Sequence, residues 1–245
     1  LKSAGISNAP ARFLWSQSGW TTAAADERAG VVFLGGGSQL AEADARSGVV
    51  RRRLSVPSHL IDRAEGREQT FEIKRVLVTR EHVLLHCAKW ERAHGGGQSR
   101  NDVVFGVSRK AWSIQWTHDC ELQVGGILAE DRRLVIAGGD GIVCVDTEDG
   151  KAQWENQEPE GPIRSCSGGG GIIAVSAASG TYALDLESGV IRCRTRIQSD
   201  SVVANGEIVA YAAAGEVGGI RVSSGECVWS RKLGRADQAP SVALA

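Results

Sequence analysis

From residue 161 onward, short apolar runs alternate with clusters of turn formers. "PIRSC" leads into a glycine-rich cluster at 168–171, "IIAVSA" into a brief break, "TYALDL" into "ESG", and "VIRCRT" closes the set. Runs of five or six residues rich in Ile, Val, Thr and Tyr, punctuated by Gly and Ser, predict four β-strands. Alternation within "YALDL" places Tyr182, Leu184 and Leu186 on one face and Ala183 with Asp185 on the other. No stretch sustains a 3.6-residue period, so helices are predicted to be minor.

The same pattern recurs. "GIVCVDTEDGKAQWE" (141–155), "GTYALDLESGVIRCR" (180–194) and "GGIRVSSGECVWSRK" (218–232) align on Gly150, Gly189 and Gly225, which are 39 and 36 residues apart. Gly48, in "LAEADARSGVVRRRL", joins the series 102 residues before Gly150. That gap holds one further unit, "VVFGVSRKAWSIQW" (103–116), with Trp112 in the glycine position. A fixed period in the high thirties predicts a repeat architecture. The glycine suits a left-handed turn residue. Four residues earlier stands Asp44, Asp146 or Asp185, able to accept hydrogen bonds from turn amides; Ser108 and Arg221 hold that place in the other units. Four residues after the glycine position stands Trp116, Trp154 or Trp229, an apolar plate with one N–H donor for docking on a neighbouring unit. Arg52 and Cys193 occupy that slot elsewhere, where weaker contacts are expected.

A single four-stranded sheet of this size buries too little alone, and packing such sheets around an axis supplies the missing contacts. The predicted fold is therefore all-β: a β-propeller of four-stranded antiparallel blades forming one domain over 1–245. Five complete blades are expected at 20–54, 71–117, 121–156, 161–195 and 200–232. The series also assigns Trp15 to an outermost strand and 240–245 to an innermost strand, both of a terminal, incomplete blade. Two segments break the rhythm: 55–70, read as a polar linker, and 88–102, "AKWERAHGGGQSRND", read as a glycine-rich loop. Insertions on a rigid scaffold commonly carry binding. Trp90, Arg92 and His94 are thus the candidate partner-binding residues, and replacing 91–101 by a short linker is expected to spare the fold while weakening binding.

These units resemble the PQQ-like repeat, whose pattern is roughly A-x-D-x-x-T/S-G-x-x-x-W. "YALDLESGVIRC" and "VCVDTEDGKAQW" carry the likeness most fully; "EADARSGVV" and "IRVSSGECVW" carry part of it. The family includes quinoprotein alcohol dehydrogenases, an outer-membrane-assembly lipoprotein scaffold, stress-sensor luminal domains and a propeller appended to adenylating enzymes. The resemblance implies the propeller fold without fixing an activity. The Trp-Asp and Gly-His signatures of WD40 repeats are absent.

Composition narrows the function classes. The chain of 245 residues has 28 Lys and Arg against 29 Asp and Glu, a net charge of −1 that gives no global attraction to nucleic acid or anionic membrane. No apolar stretch of 18 residues predicts a membrane span. The absence of methionine reads as processing or excision from something longer. The six cysteines lack CxxC spacing and are expected as mostly buried thiols, which leans the assignment towards the cytoplasm.

Catalytic signatures are sparse. "GGGS" (35–38) and "SGGGG" (167–171) precede strands, whereas a phosphate loop precedes a helix. "DTEDG" lacks the alternate ligand spacing of a calcium loop. His82 and His86 lie about 13 Å apart if their segment is extended, too far to share an ion. No G-x-S-x-G elbow occurs, and the adjacent cysteines of many quinone enzymes are missing. No cofactor or metal is assigned. The leading expectation is a non-catalytic propeller scaffold binding a protein or peptide. The alternative is a propeller appended to, or cut from, a larger enzyme of adenylating or quinone- or sugar-binding type, presenting substrate or carrier.

Overall fold

The computed structural model describes residues 19–57, 59–62, 67–92, 98–120, 123–130, 132–139 and 141–233, and among them every regular element is a strand. The strands form five antiparallel sheets, each in sequence order. The first holds β1 (Thr22–Asp26), β2 (Val31–Gly36), β3 (Gln39–Asp44) and β4 (Val50–Ser55). The second holds β5 (His59–Asp62), β6 (Arg67–Val78), β7 (His82–Arg92), β8 (Gln98–Ser108) and β9 (Ser113–Cys120). The third holds β10 (Val124–Glu130), β11 (Arg133–Gly138), β12 (Gly141–Asp146) and β13 (Ala152–Asn156). The fourth holds β14 (Ile163–Gly169), β15 (Ile172–Ala177), β16 (Gly180–Asp185) and β17 (Ile191–Thr195). The fifth holds β18 (Ser201–Ala204), β19 (Ile208–Ala213), β20 (Glu216–Arg221) and β21 (Cys227–Lys232).

The sheets are arranged as propeller blades. β1 packs beside β6, β6 beside β10, β10 beside β14 and β14 beside β18, so the inner strands meet in succession. A separate apolar cluster fills each junction. Val31, Phe33 and Leu40 meet Phe71, Leu85 and Phe105 between the first and second sheets. Leu84, Val104 and Trp116 meet Ile127, Leu134 and Val145 between the second and third. Val135 and Cys144 meet Ile173, Tyr182 and Leu184 between the third and fourth. Ala174 and Ala183 meet Val209, Tyr211 and Ile220 between the fourth and fifth. This explains the sequence pattern. A middle strand such as β15 has a neighbouring sheet on both faces and is buried at every position, whereas outer β17 alternates.

Two expectations are corrected here. The segment 55–70 is not simply a linker: it contains β5 and the start of β6, so the second sheet has five strands instead of four. The segment 88–102 is not a loop, because β7 continues to Arg92 and β8 starts at Gln98, paired residue for residue from Arg92↔Gln98 to His82↔Ser108. Its polar residues read as loop, yet those of β7 pair in register with β6 on one side and β8 on the other, and the segment shows no sustained apolar alternation to announce a strand. Trp15, His94 and 240–245 lie outside the described residues.

Candidate functional site

The repeated turns join the last two strands of each sheet. The amide of Gly48, Gly150, Gly189 and Gly225 donates to the carbonyl four residues back at 2.8–2.9 Å, with φ between 71° and 73°. Asp44 Oδ1 accepts from the amides of Arg46 and Ser47, Asp146 Oδ1 from Glu148, and Asp185 Oδ1 from Glu187 and Ser188. In the second sheet Trp112 fills the glycine place at φ 52°, its amide bonded to Ser108 O at 2.8 Å.

The outer strands of the first four sheets each send one side chain onto the next sheet's turn. Trp116 Nε1 donates to Thr147 O at 2.9 Å and its ring lies over Gly150, where a Cβ would stand 2.7 Å from the ring. Trp154 Nε1 donates to Leu186 O at 3.1 Å, with its ring over Gly189. Arg52 occupies the same slot by another chemistry: its guanidinium donates to Arg109 O at 2.9 Å, pairs with Glu42 and lies 4.2 Å from the Trp112 ring centre. Cys193 makes only a van der Waals approach to Gly225. Trp229 stacks against Gly219 of its own sheet and is 48% exposed.

What departs from this regular pattern is the second sheet. Middle strands elsewhere have six residues, while β7 and β8 have eleven each. Their extra residues form an arm lying at the opposite end of β7 from its turn with β6. At about 3.3 Å per residue, five additional residues project the ribbon by about 16 Å. Trp90 sits opposite Thr70 and Arg100, and the Arg100 guanidinium lies 5.3 Å from the Trp90 ring centre. By alternation Trp90 shares the face of Leu84 and His86, the side towards the third sheet. Arg92 follows on the same face and is exposed. The other face carries an ion cluster, with Lys89 Nζ 3.0 Å from Glu91 and 3.1 Å from Asp119, and Gln69 donating to Glu91 at 2.9 Å. Partial burial works against the Lys89 charge, but its two carboxylate partners outweigh this and raise its pKa. The structure thus brings Trp90 and Arg92 together with Arg100.

A buried tie fixes the arm's root. Asp102, whose side chain is 1% exposed, lies opposite Ala88 and Cys120. Its Oδ2 accepts from the amide of Val124 at 2.7 Å and stands 3.3 Å from His86 Nε2. Burial alone would raise the Asp102 pKa; His86, the Val124 amide and Arg100 together hold it below its ordinary value. The carboxylate therefore links the arm's base to the start of β10. A His–carboxylate pair invites a catalytic reading, but His86 is 4% exposed and Cys87, its neighbour, points to the opposite face among first-sheet residues. What the pair does in the fold is to join β7 and β8 to the start of β10.

Sequence reasoning missed Arg100, Lys89 and the Asp102–His86 tie. One signal was present: "HVLLHCAKWER" contains no turn former, which argues for a single unbroken strand.

Comparison with known proteins adds the family. The model described as outer membrane protein assembly factor BamB matches residues 100–244. No curated protein matches the sequence. The crystal structure of BamB from Moraxella catarrhalis superposes with a TM-score of 0.62 at 18% identity, covering 91% of this chain; the chain spans 65% of that BamB. A computationally designed protein, Ika8, superposes at 0.53 with 12% identity, covering 94% of this chain and 92% of the design. A chain in a crystal structure of the mitotic checkpoint complex superposes at 0.59 with 12% identity, covering 82% of this chain and 62% of its own. At these identities the structural likenesses speak for the fold alone.

Proposed function

Since the chain belongs to the family described as outer membrane protein assembly factor BamB, a family of PQQ-like propellers, we propose that it is a non-catalytic scaffold that binds a protein partner through the arm of its second sheet. The arm carries the reading: it is the place where the repeat is broken, and the break adds surface in place of core. Its face on the third-sheet side offers an aromatic ring stacked with one guanidinium and followed by a second, the residue types that dominate protein interfaces. The plugs and turns hold the sheets rigid beneath it, and Asp102 fixes its root.

The register sets the test. Trp90 faces Arg100 and Ala88 faces Asp102, so a clean excision replaces 89–101 by Asn-Gly and closes the hairpin on the Ala88–Asp102 pair. Removing 91–101 would instead set Trp90 beside Asp102, out of register. The trimmed protein is expected to keep its far-ultraviolet spectrum and to lose the partners captured by the intact chain, as quantified by mass spectrometry. Equal capture by both proteins would refute the assignment of the arm.

A further inference from the structure

At the end of the molecule opposite the arm, three successive sheets carry an arginine in the turn between the inner strand and its neighbour: Arg28, Arg80 and Arg132. These turns wall a cleft of about 1150 Å³ spanning the first three sheets. Its charges are unevenly satisfied. Arg109 is engaged by Asp26 at 2.7 Å and by the carbonyls of Thr79 and Arg80. Arg132 pairs with Glu148 at 2.6 Å. Arg80 reaches Glu81 only at 3.6 Å, with both side chains largely in water, and such a pair holds its partners weakly. Arg28 makes no ion pair among the described residues. A buried polar group also lines the cleft: His82 is 8% exposed, and its Nδ1 has no hydrogen-bond partner among the described residues. Four arginines against Asp26, Glu81 and Glu148 leave the lining with a positive excess, carried by the weakly engaged Arg28 and Arg80.

We propose that this cleft binds an acidic peptide segment of a protein partner, with the weakly engaged Arg28 and Arg80 receiving carboxylates. The volume exceeds what one side chain fills and matches a segment of several residues. The interspersed Asp26, Glu81 and Glu148 repel a uniform polyanion and suit a segment whose acids are separated. The inference rests on the reading of the molecule as a protein-binding scaffold but uses the opposite end, so its test is independent of the arm.

The probe is a capped peptide, Gly-Glu-Gly-Glu-Gly, titrated into the isotope-labelled intact chain, with the glutamine counterpart and inorganic phosphate as parallel arms. The glutamate peptide should saturate while shifting the His82 ring and arginine Nε resonances, and should bind at least tenfold more tightly than the glutamine peptide. R28Q combined with R80Q should weaken it at least tenfold. Both positions are exposed turn residues, so the fold should survive the change. The arm-trimmed protein should bind it unchanged, which separates failure here from failure of the arm. No saturable binding, equal binding of the glutamine peptide, an unaffected R28Q/R80Q variant, or phosphate binding as tightly as the peptide would each overturn the proposal.

Discussion

Two tryptophans in the same repeat slot meet different surroundings. Trp154 spends its N–H on Leu186 O and its ring on Gly189, while Trp229 is 48% exposed. Truncating a docked tryptophan loses apolar burial and a hydrogen bond together. Trp154→Ala is therefore expected to cost about 3 kcal/mol in denaturant unfolding, against at most about 1 kcal/mol for Trp229→Ala. Equal costs would mean that the slot itself, and not the neighbouring turn, gives the residue its worth. The turn aspartates make a prediction in pH. Arg192 and the Ser188 hydroxyl and amide hold Asp185 down to about 2, and the Ser47 amide and Arg51 hold Asp44 lower still. A carboxyl whose folded pKa is depressed adds stability that is complete above its unfolded value, roughly pH 4, and is lost as pH falls through the folded one. Acid unfolding followed by tryptophan fluorescence should thus steepen between about pH 4 and pH 2. Asp185→Asn should be less stable at neutral pH and flatter across that window. A variant curve parallel to the parent's would sever the turn carboxylate from acid sensitivity.

At the scale of elements, the arm depends on Asp102. Removing the carboxylate strands the Val124 amide and leaves His86 without its partner in a site water does not reach. Breaking such a buried set costs about 3 kcal/mol or more, whereas an amide of the same shape keeps the acceptor for Val124. Asp102→Ala should therefore be markedly less stable than Asp102→Asn in denaturant melts, and hydrogen exchange should quicken from Ala88 to Arg92. If both variants matched the parent, the tie would be incidental. The elements also differ in how openly the sequence declares them. The repeat turns are readable because Gly150 and Gly189 need a left-handed backbone and a bare Cα beneath a ring, two constraints that only glycine meets together. Trp112 in the same conformation was found by counting from its neighbours, since no local feature of Ala111-Trp112-Ser113 announces a turn. β5 and the extended strands escaped because their polar residues do not alternate steadily with apolar ones, so no period of two marks them as strands.

For the whole molecule, the junctions between sheets hold the apolar residues and the two ends hold the polar ones. The fold was legible because each junction repeats a single local solution, a turn facing a plug. The candidate site was only half legible: Trp90 and Arg92 stood out as residues, but their partner Arg100 lies ten positions from Trp90 and is joined to it by register alone. The basic cleft was hidden for a similar reason, since Arg28, Arg80 and Arg132 are 52 residues apart and meet only once the sheets are packed. The central claim is that this rigid fan of sheets works by binding, with the arm as its contact. Site-specific photo-crosslinking in the native host tests it most directly, with the reactive group placed in turn at position 90 on the arm and at the exposed positions 49 and 228. The account predicts one discrete adduct with a protein from position 90 and none from the other two; adducts of equal yield from all three, or from position 49 or 228 alone, would contradict it.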